Sequence, residues 1–476
     1  MDVIEIIKQT LKIPEEQITD DLGFQSISEW NSMNHVSLIL ALEEASGVTI
    51  NDELMLELTS VAEIKKFASG LMQNKGSENL IETDDSEDID SENCKQSAPI
   101  VFRGLNNITF DNTNITNMDG NKGILEYRGY SIHDLVEHST YEEVAYLLLY
   151  KELPTREQLE CFGAELKSNR NVPSAVEELV VSMADADPTL VLRTATSMLA
   201  HYDKNKQDNT AEGTRIKAIR LIAQLPVITA IQYRTRNGLP VIQPSATLGH
   251  AANILYMLQG KEPTRKQESI VDKILILHTE HGSNASTFTT RVVIGTEADI
   301  YGAITSAIAA FSGPLHGGAI QQTMKMLREI EDPSQAESYI QARREKNEAV
   351  MGFGHRVYRT EDPRARHLRQ GAVELCQDIQ ETKWLDILDA VVEAMRPYSK
   401  HGVHVNVDYY ACVIYHLLGL TDDIFVPMFI FGRIAGWSAH VLEQMENNIL
   451  IRPLMNYVGQ KSRIYISDKE KMMICK

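Results

Sequence analysis

Cysteines are few, and none is placed for a bridge or a metal. Cys94, Cys161, Cys376, Cys412 and Cys475 lie far apart, and no C-x-x-C pair occurs. Neither a disulfide framework nor a zinc knuckle is indicated, so reduced thiols in a cytoplasmic setting are the expectation. The start, "MDVIEIIKQT", is acidic and lacks a signal-peptide pattern. No run of ~18 apolar residues is read, so no membrane span is expected. Basic charge is scarce at one end. Residues 1–99 hold 21 acids against 6 bases, a net of −15, whereas the other 377 residues hold 45 against 40, a net of −5. An acidic front end repels phosphate, which argues against nucleic acid as a partner and suits basic protein surfaces. No G-x-x-x-x-G-K-[ST] occurs, so the glycines do not form a nucleotide loop. "HTEH" (278–281) has no H-E-x-x-H pattern and no third ligand near it, so no metal is expected.

What is present is a chain of 476 residues, 43% hydrophobic, enough for two or three domains with a substantial core. Residues 74–99 hold eight acids, two lysines and few apolar residues. That composition reads as a disordered linker. The expected division is a small module over 1–75, an acidic linker over 76–99 and a large module over 100–476. The fold class is mainly α. "DVIEIIKQTLKI" carries an apolar helical stripe that Pro14 ends, Met33, Val36 and Leu40 share a helix face, and "SVAEIKKFASGL" turns Val61, Ile64 and Phe67 inward. The large module shows helical periodicity in "YEEVAYLLLY", "RIKAIRLIAQLPVITAIQY" and "SIVDKILILHTEH". Only "ITFDNTNITNMDGNKGILEYRG" alternates around turn residues, as a short hairpin does.

Reactive side chains concentrate beside glycines in four segments: "LHTEHGSNAST" (277–287), "GPLHGGA" (313–319), "MGFGHRVYRTEDPRAR" (351–366) and "VHVNVDYYACVIYHLLG" (403–419). Two arginine sites follow, "FIFGRIAGW" (429–437) and "LIRPLMNYVG" (450–459). Pro314 and the paired glycines fit a sharp loop where backbone approaches a ligand closely, and Gly352 and Gly354 repeat the arrangement. Asp408 sits among Val405, Val407, Tyr409 and Tyr410. Burial there raises a carboxyl from ~3.9 toward the value of a useful general base. A single glycine-flanked histidine is usually a cap or a satisfied core imidazole, and a single arginine usually lies at the surface. Six such sites in one chain do not fit that reading. Arg433 in particular lies between apolar runs, where an unpaired charge is costly.

From about Gly104 to the C-terminus the chain resembles citrate synthase, in its shorter, dimeric bacterial form. "ILEYRGYSIHDLVEHSTYEEVAYLLLYKELPT" (124–155) is similar to the family's opening, and "EHGSNAST", "GPLHGGA", "GFGHRVY", "DPRA" and "NVDYY" stand in the family's order. The resemblance implies an all-helical two-domain fold, with a large subdomain about 100–319 and 421–476 and a small one about 320–420 that closes over the substrates. It implies that His316 donates a hydrogen bond to the carbonyl of an acyl thioester while Asp408 removes a proton from its methyl group. It implies that His355 polarises the ketone of the oxo acid and protonates the new alkoxide, after which the citryl thioester is hydrolysed. His281, Arg364, Arg433 and Arg452 would hold the two carboxylates of oxaloacetate, since guanidinium binds carboxylates in a fork. In the family the last arginine crosses a dimer interface, so Arg452 implies a homodimer. Acetyl-CoA is the favoured thioester, and the tricarboxylic acid cycle the implied setting.

Residues 1–75 resemble an acyl carrier protein or peptidyl carrier domain, a four-helix bundle bearing 4′-phosphopantetheine on a serine at the start of its second helix. The family's surround, Trp-Asp-Ser-Leu-Gly-His, reads here Trp30-Asn31-Ser32-Met33-Asn34-His35. Ser32 is the expected attachment site, and a phosphopantetheinyl transferase and a carrier-loading enzyme are the implied partners. The plain alternative is that Ser32 only caps its helix, but no Glu or Gln stands at position 35 to complete a capping box. Three alternatives for the whole protein stay open: a 2-methylcitrate synthase using propionyl-CoA, a condensing enzyme of specialised metabolism drawing on its own carrier, and a non-catalytic dimeric scaffold.

Overall fold

The first helix, α1 (Val3–Leu11), opens where the Asp2 side chain accepts from the Glu5 amide, and it buries Val3, Ile7 and Leu11 on one face. This computed structural model describes residues 2–73 apart from 25, 28, 31 and 51, residues 101–463 apart from 106, 107 and 347, and residue 465. The expected linker, 76–99, lies outside them. α1 stops at Lys12, which takes the left-handed conformation at φ 54°, so the chain leaves the helix before it reaches Pro14. Then follow α2 (Ser32–Ser46), α3 (Asp52–Glu57) and α4 (Val61–Gln73). Ile7, Leu11, Trp30, Leu38, Ile39, Leu42, Val61 and Ile64 close a separate small core, with Phe67 packed against it. The four-helix module expected from the sequence is therefore present. Val36 does not join that core.

The hairpin also forms. β1 (Thr116–Asp119) pairs antiparallel with β2 (Ile124–Tyr127), Thr116 opposite Tyr127, and the short β3 (Tyr130–Ser131) adds at the far edge of β2. Beyond it the body is helical. Its axis is the helix Phe425–Glu446, packed against Arg265–Thr279, Ala211–Arg236, Ala285–Ile294 and Ile300–Phe311. The stretch Asp422–Glu446 is long and apolar enough to cross a membrane by composition, with a mean hydropathy of 1.3, yet its apolar window of 18 residues is wholly buried inside the body, so it agrees with the expectation of no membrane span. A helix apolar on every side belongs at the centre of a core. Gly432 and Gly436, one turn apart, let the 275–280 backbone lie directly on this helix, because a side-chain carbon at Gly432 would stand 2.7 Å from the Leu275 carbonyl oxygen, and one at Gly436 would collide with that of Thr279. The helices Ala319–Ile330, Ala336–Glu345, Ala365–Ile379, Lys383–Ser399 and Val407–Leu417 pack on one another.

The chain divides into two compact units, Met1–Glu78 with Thr113–Leu450, and Asn79–Asn112 with Ile451–Lys476. In the second unit the described residues form a single 3-10 turn, Arg103–Leu105, and otherwise irregular chain. Cys161 is exposed and Cys376 and Cys412 are buried, all three as free thiols.

Candidate active site

The loop 313–318 joins the helices Ile300–Phe311 and Ala319–Ile330, and its turn is closed by His316 and Gly318 amides donating to the Gly313 carbonyl at 3.0 and 3.2 Å. The His316 ring stands edge-on to Phe311, centroids 4.6 Å apart. Its Nε2 accepts from the Ser286 amide at 3.3 Å and lies 2.9 Å from the Ser286 hydroxyl. A backbone amide only donates, so Nε2 holds a lone pair and the proton sits on Nδ1. Ser286 is itself held by the Trp437 indole N–H, 3.1 Å away on the central helix. Burial pushes the His316 pKa down to about 3, helped by the Arg433 and Arg356 cations. The ring is a neutral donor.

His355 makes the opposite choice. Its Nδ1 accepts from the Val357 and Tyr358 amides at 3.0 and 3.2 Å, which leaves the proton on Nε2. Burial takes its pKa down to about 4, Asp362 pulling the other way and Arg364 and Arg359 adding to the fall. Gly352, at φ +82°, lets this loop press on Tyr409, whose ring atom would lie 2.6 Å from any added side-chain carbon. The loop is stitched to the approach to the next helix: Gly354 N donates to His404 O at 2.8 Å, and Asn406 N to Gly352 O at 2.9 Å. Asn406 also donates its side-chain amide to Gly354 O at 3.1 Å while its oxygen accepts from Asp408 N at 3.0 Å, capping the helix Val407–Leu417. One asparagine thus sets both the His355 loop and Asp408. The Asp408 side chain keeps partial access to solvent between buried Val407 and Tyr409. Burial raises its pKa to about 7, with Asp362 adding and Arg364 and Arg433 opposing.

His281 joins the two halves. It follows the helix Arg265–Thr279, five residues before Ser286, and its ring centroid is 5.0 Å from that of His355. Its Nε2 is 3.2 Å from the Tyr358 hydroxyl, and burial, with Arg364, holds its pKa well below the usual imidazole range. Arg364 is buried, 2% exposed. Burial works against its charge, but Asp362 outweighs that through a fork of Nε to Oδ1 at 2.9 Å and Nη2 to Oδ2 at 2.8 Å. Asp362 uses Nε and Nη2, so Nη1 is the edge turned away from that pair. Arg433 is equally buried and donates from Nε to His278 O at 2.7 Å, with its guanidinium over Phe429 at 5.1 Å. Burial lowers its pKa to about 10, and Glu280 resists the fall. The charge of Arg433 reaches His316, His281 and Asp408, and that of Arg364 reaches His281, His355 and Asp408. Two permanent cations, three neutral imidazoles and one carboxyl poised near neutrality therefore converge. Such a set has the charge to hold a small dianion and a carboxyl able to accept a proton near neutral pH.

Six of the eight residues singled out in the sequence belong to this cluster. Arg452 lies in the second unit, exposed and in irregular chain. Ser32 is the first residue of α2, and its side chain is outside the described part. The position is the N-terminal end of a 15-residue helix, whose dipole favours an anion such as an attached phosphate. The turn before it is fixed by Trp30 Nε1 donating to His35 Nδ1 at 3.1 Å. Sequence reasoning missed Ser286, Tyr358, Asp362 and Asn406. Each stood inside a quoted block, and an aspartate two residues before Arg364 was the one readable sign of a pair. Among the described residues no group of three His, Cys, Asp or Glu is placed to hold a metal.

Residues 104–454 match the family described as "Citrate synthase, C-terminal domain", and residues 2–68 match "Phosphopantetheine attachment site". The chain is 40% identical to "Citrate synthase 2" of Bacillus subtilis over 371 residues, which cover 78% of this chain and 99% of that protein. It is 38% identical to "2-methylcitrate synthase 1" of Corynebacterium glutamicum over 377 residues, covering 78% and 98%. Among solved structures, the citrate synthase of Thermoplasma acidophilum, in a ternary complex with carboxymethyl coenzyme A and oxaloacetate, superposes with a TM-score of 0.74 at 31% identity, covering 78% of this chain and 99% of that one.

Proposed function

The chain belongs to the citrate synthase family with a carrier domain at its front, and from that premise we propose that His316, His355 and Asp408 carry its chemistry. The reaction is condensation of an acyl thioester with oxaloacetate, giving citrate and a free thiol. The Asp408 carboxylate takes a proton from the thioester methyl group. Alone it is far too weak a base for that carbon acid, so the developing oxyanion needs a fixed donor, and His316 Nδ1–H supplies it. The new carbon nucleophile adds to the ketone carbon of oxaloacetate. His355 Nε2–H gives its proton to the ketone oxygen as that becomes an alkoxide. Water then cleaves the citryl thioester, and the sulfur leaves as the thiol.

His281, the free edge of Arg364, and Arg433 hold the carboxylates of oxaloacetate. In a homodimer Arg452 completes the site of the neighbouring subunit. The small subdomain, about 320–420, closes over the large one to exclude water during condensation. The observation that supports these assignments most directly is the Asn406 bridge, which ties the proton donor of one loop to a carboxyl held near pKa 7 on the next helix.

Acetyl-CoA is the favoured thioester, and the cytoplasm the proposed setting. Propionyl-CoA is the second reading, because the Corynebacterium relative is a 2-methylcitrate synthase and one methylene alters discrimination by only ~1–3 kcal/mol. Ser32 is proposed to carry 4′-phosphopantetheine, which would supply a thiol on a flexible arm. The test is to mix purified protein with oxaloacetate and acetyl-CoA or propionyl-CoA and follow free thiol. Oxaloacetate-dependent release is expected, and no release from either, or from any other acyl thioester, contradicts the proposal. Intact mass tests the carrier: one phosphopantetheine should be gained, and lost in Ser32→Ala.

A further inference from the structure

We propose that the carrier docks on the catalytic body through the outer face of α2, so that the body takes its acyl thioester from this chain's own arm. The inference rests on the condensation reading above.

α2 is apolar on two sides. Leu38, Ile39 and Leu42 close the carrier core. Val36 and Leu40, one turn apart, belong elsewhere: Val36 is 2% exposed within the core of the body, and Leu40 packs against that same core. A helix with two apolar faces is one that is covered twice. At the end of α1, Lys12 Nζ donates to the backbone carbonyl of Glu345, a second contact between module and body. A longer-range interaction runs toward the chemistry. Burial lowers the His35 pKa to about 4, and the cation of Arg359 adds to the fall, which puts Arg359 within electrostatic range of α2. Arg359 in turn donates from Nη1 to the carbonyl of His355 at 3.0 Å. His35 follows Ser32 by three residues, roughly 4.5 Å along the helix axis. The end of α2 that bears Ser32 therefore lies on the side of the body that carries the His355 loop.

Charge agrees with this seating. Residues 1–73 hold 13 acids against 4 bases, while residues 343–366 hold 7 bases against 4 acids. Opposite fields steer the module to that side of the body and disfavour other placements. Tethering makes the encounter intramolecular, so a loaded carrier meets its site at high effective concentration. The balance of the reaction does not depend on the source of the thioester: one carbon–carbon bond forms, water cleaves the carbon–sulfur bond, and a thiol is released.

The test uses the full chain and the double variant Val36→Glu, Leu40→Lys, which spares the carrier core. Zero-length coupling of amine to carboxylate, mapped by mass spectrometry, is expected to join Lys12 to Glu345 or Glu348 in the parent protein. In the double variant that product should fall about tenfold, and condensation from an acyl-loaded carrier should fall about tenfold or more, as effective concentration is lost. Turnover of free acetyl-CoA should stay within about twofold, because neither residue touches the catalytic cluster. Hydrogen exchange in α1 and α4 should be unchanged, which certifies a folded carrier. Absence of the cross-link in the parent protein, or undiminished transfer from the loaded carrier of the folded double variant, overturns the proposal. Failure of the parent protein to release thiol from any acyl thioester, free or carrier-bound, counts against the condensation reading instead, and the cross-link alone then decides the docking.

Discussion

The loops of His316 and His355 solve one sequence problem in two ways. Both set a histidine among glycines, and both keep the ring neutral by burial. In one, a serine amide takes Nε2 and leaves Nδ1–H free; in the other, two amides of the loop itself take Nδ1 and leave Nε2–H free. The glycines only let the backbone come close. The neighbour that fills the second nitrogen decides which end of the ring faces the substrate. Two donors pointing from opposite nitrogens are what a reaction needs when it must stabilise one oxyanion on the thioester and another on the ketone.

The comparison breaks most severely if the carboxyl between the two donors is removed. Asp408→Ala should lower kcat by about 10³-fold or more, the upper range for a positioned base, with oxaloacetate binding by calorimetry nearly unchanged. Unchanged turnover would remove Asp408 from the mechanism. Amide substitutions sharpen the contrast between the rings. The Asn side chain places its N–H near the Nδ1 position and Gln near Nε2, so His316→Asn should outperform His316→Gln, and His355→Gln should outperform His355→Asn. Each mismatched variant should lose about 10²- to 10³-fold in kcat, as for a lost oxyanion donor. The same order at both positions would contradict the tautomers assigned.

Acid and base affect the two kinds of group in opposite directions. Turnover should rise about tenfold per pH unit below the Asp408 pKa of about 7 and level off above it, as the carboxylate forms. Folding stability should respond differently. The raised Asp408 pKa means that the native state binds its proton more tightly than the unfolded chain does. Its contribution is full below ~4 and is lost as pH rises through about 7. The histidines have lowered pKa values, so their contribution is full above ~6.5 and is lost as pH falls toward about 4 and 3. Asp408→Asn, which cannot ionise, should therefore raise the Tm at pH 8 relative to the parent protein and narrow the gap at pH 5. The smallest effect is expected at Ser286→Ala. It removes the hydroxyl beside His316 but keeps the amide that fixes the tautomer, so kcat should fall only about tenfold or less. A loss as large as that of His316→Gln would mean that the hydroxyl, and not the amide, orients the ring.

Much of this site was legible in the sequence because its reactive residues stand in short, glycine-marked blocks. Their supports were not. Asp362, Tyr358 and Asn406 act through hydrogen bonds whose partners depend on how loops and helices meet, and Ser286 is 30 residues from His316 in the chain. The helical class and the hairpin followed from periodicity. The central helix was overlooked, since Arg433, Glu443 and Glu446 interrupt the apolar run Phe425–Glu446, and only the packing of Arg433 shows that it faces the site. α2 teaches the complementary lesson. Val36 and Leu40 were read correctly as sharing a face, but one chain's periodicity does not say which of two cores a face will enter.

The central claim is that Asp408 and His316 act together on one thioester. A double-mutant cycle in kcat tests it most directly. If the two groups form and stabilise the same enolate, Asp408→Ala with His316→Ala should be about as inactive as the worse single variant. Losses that multiply, as for independent sites, would contradict the account.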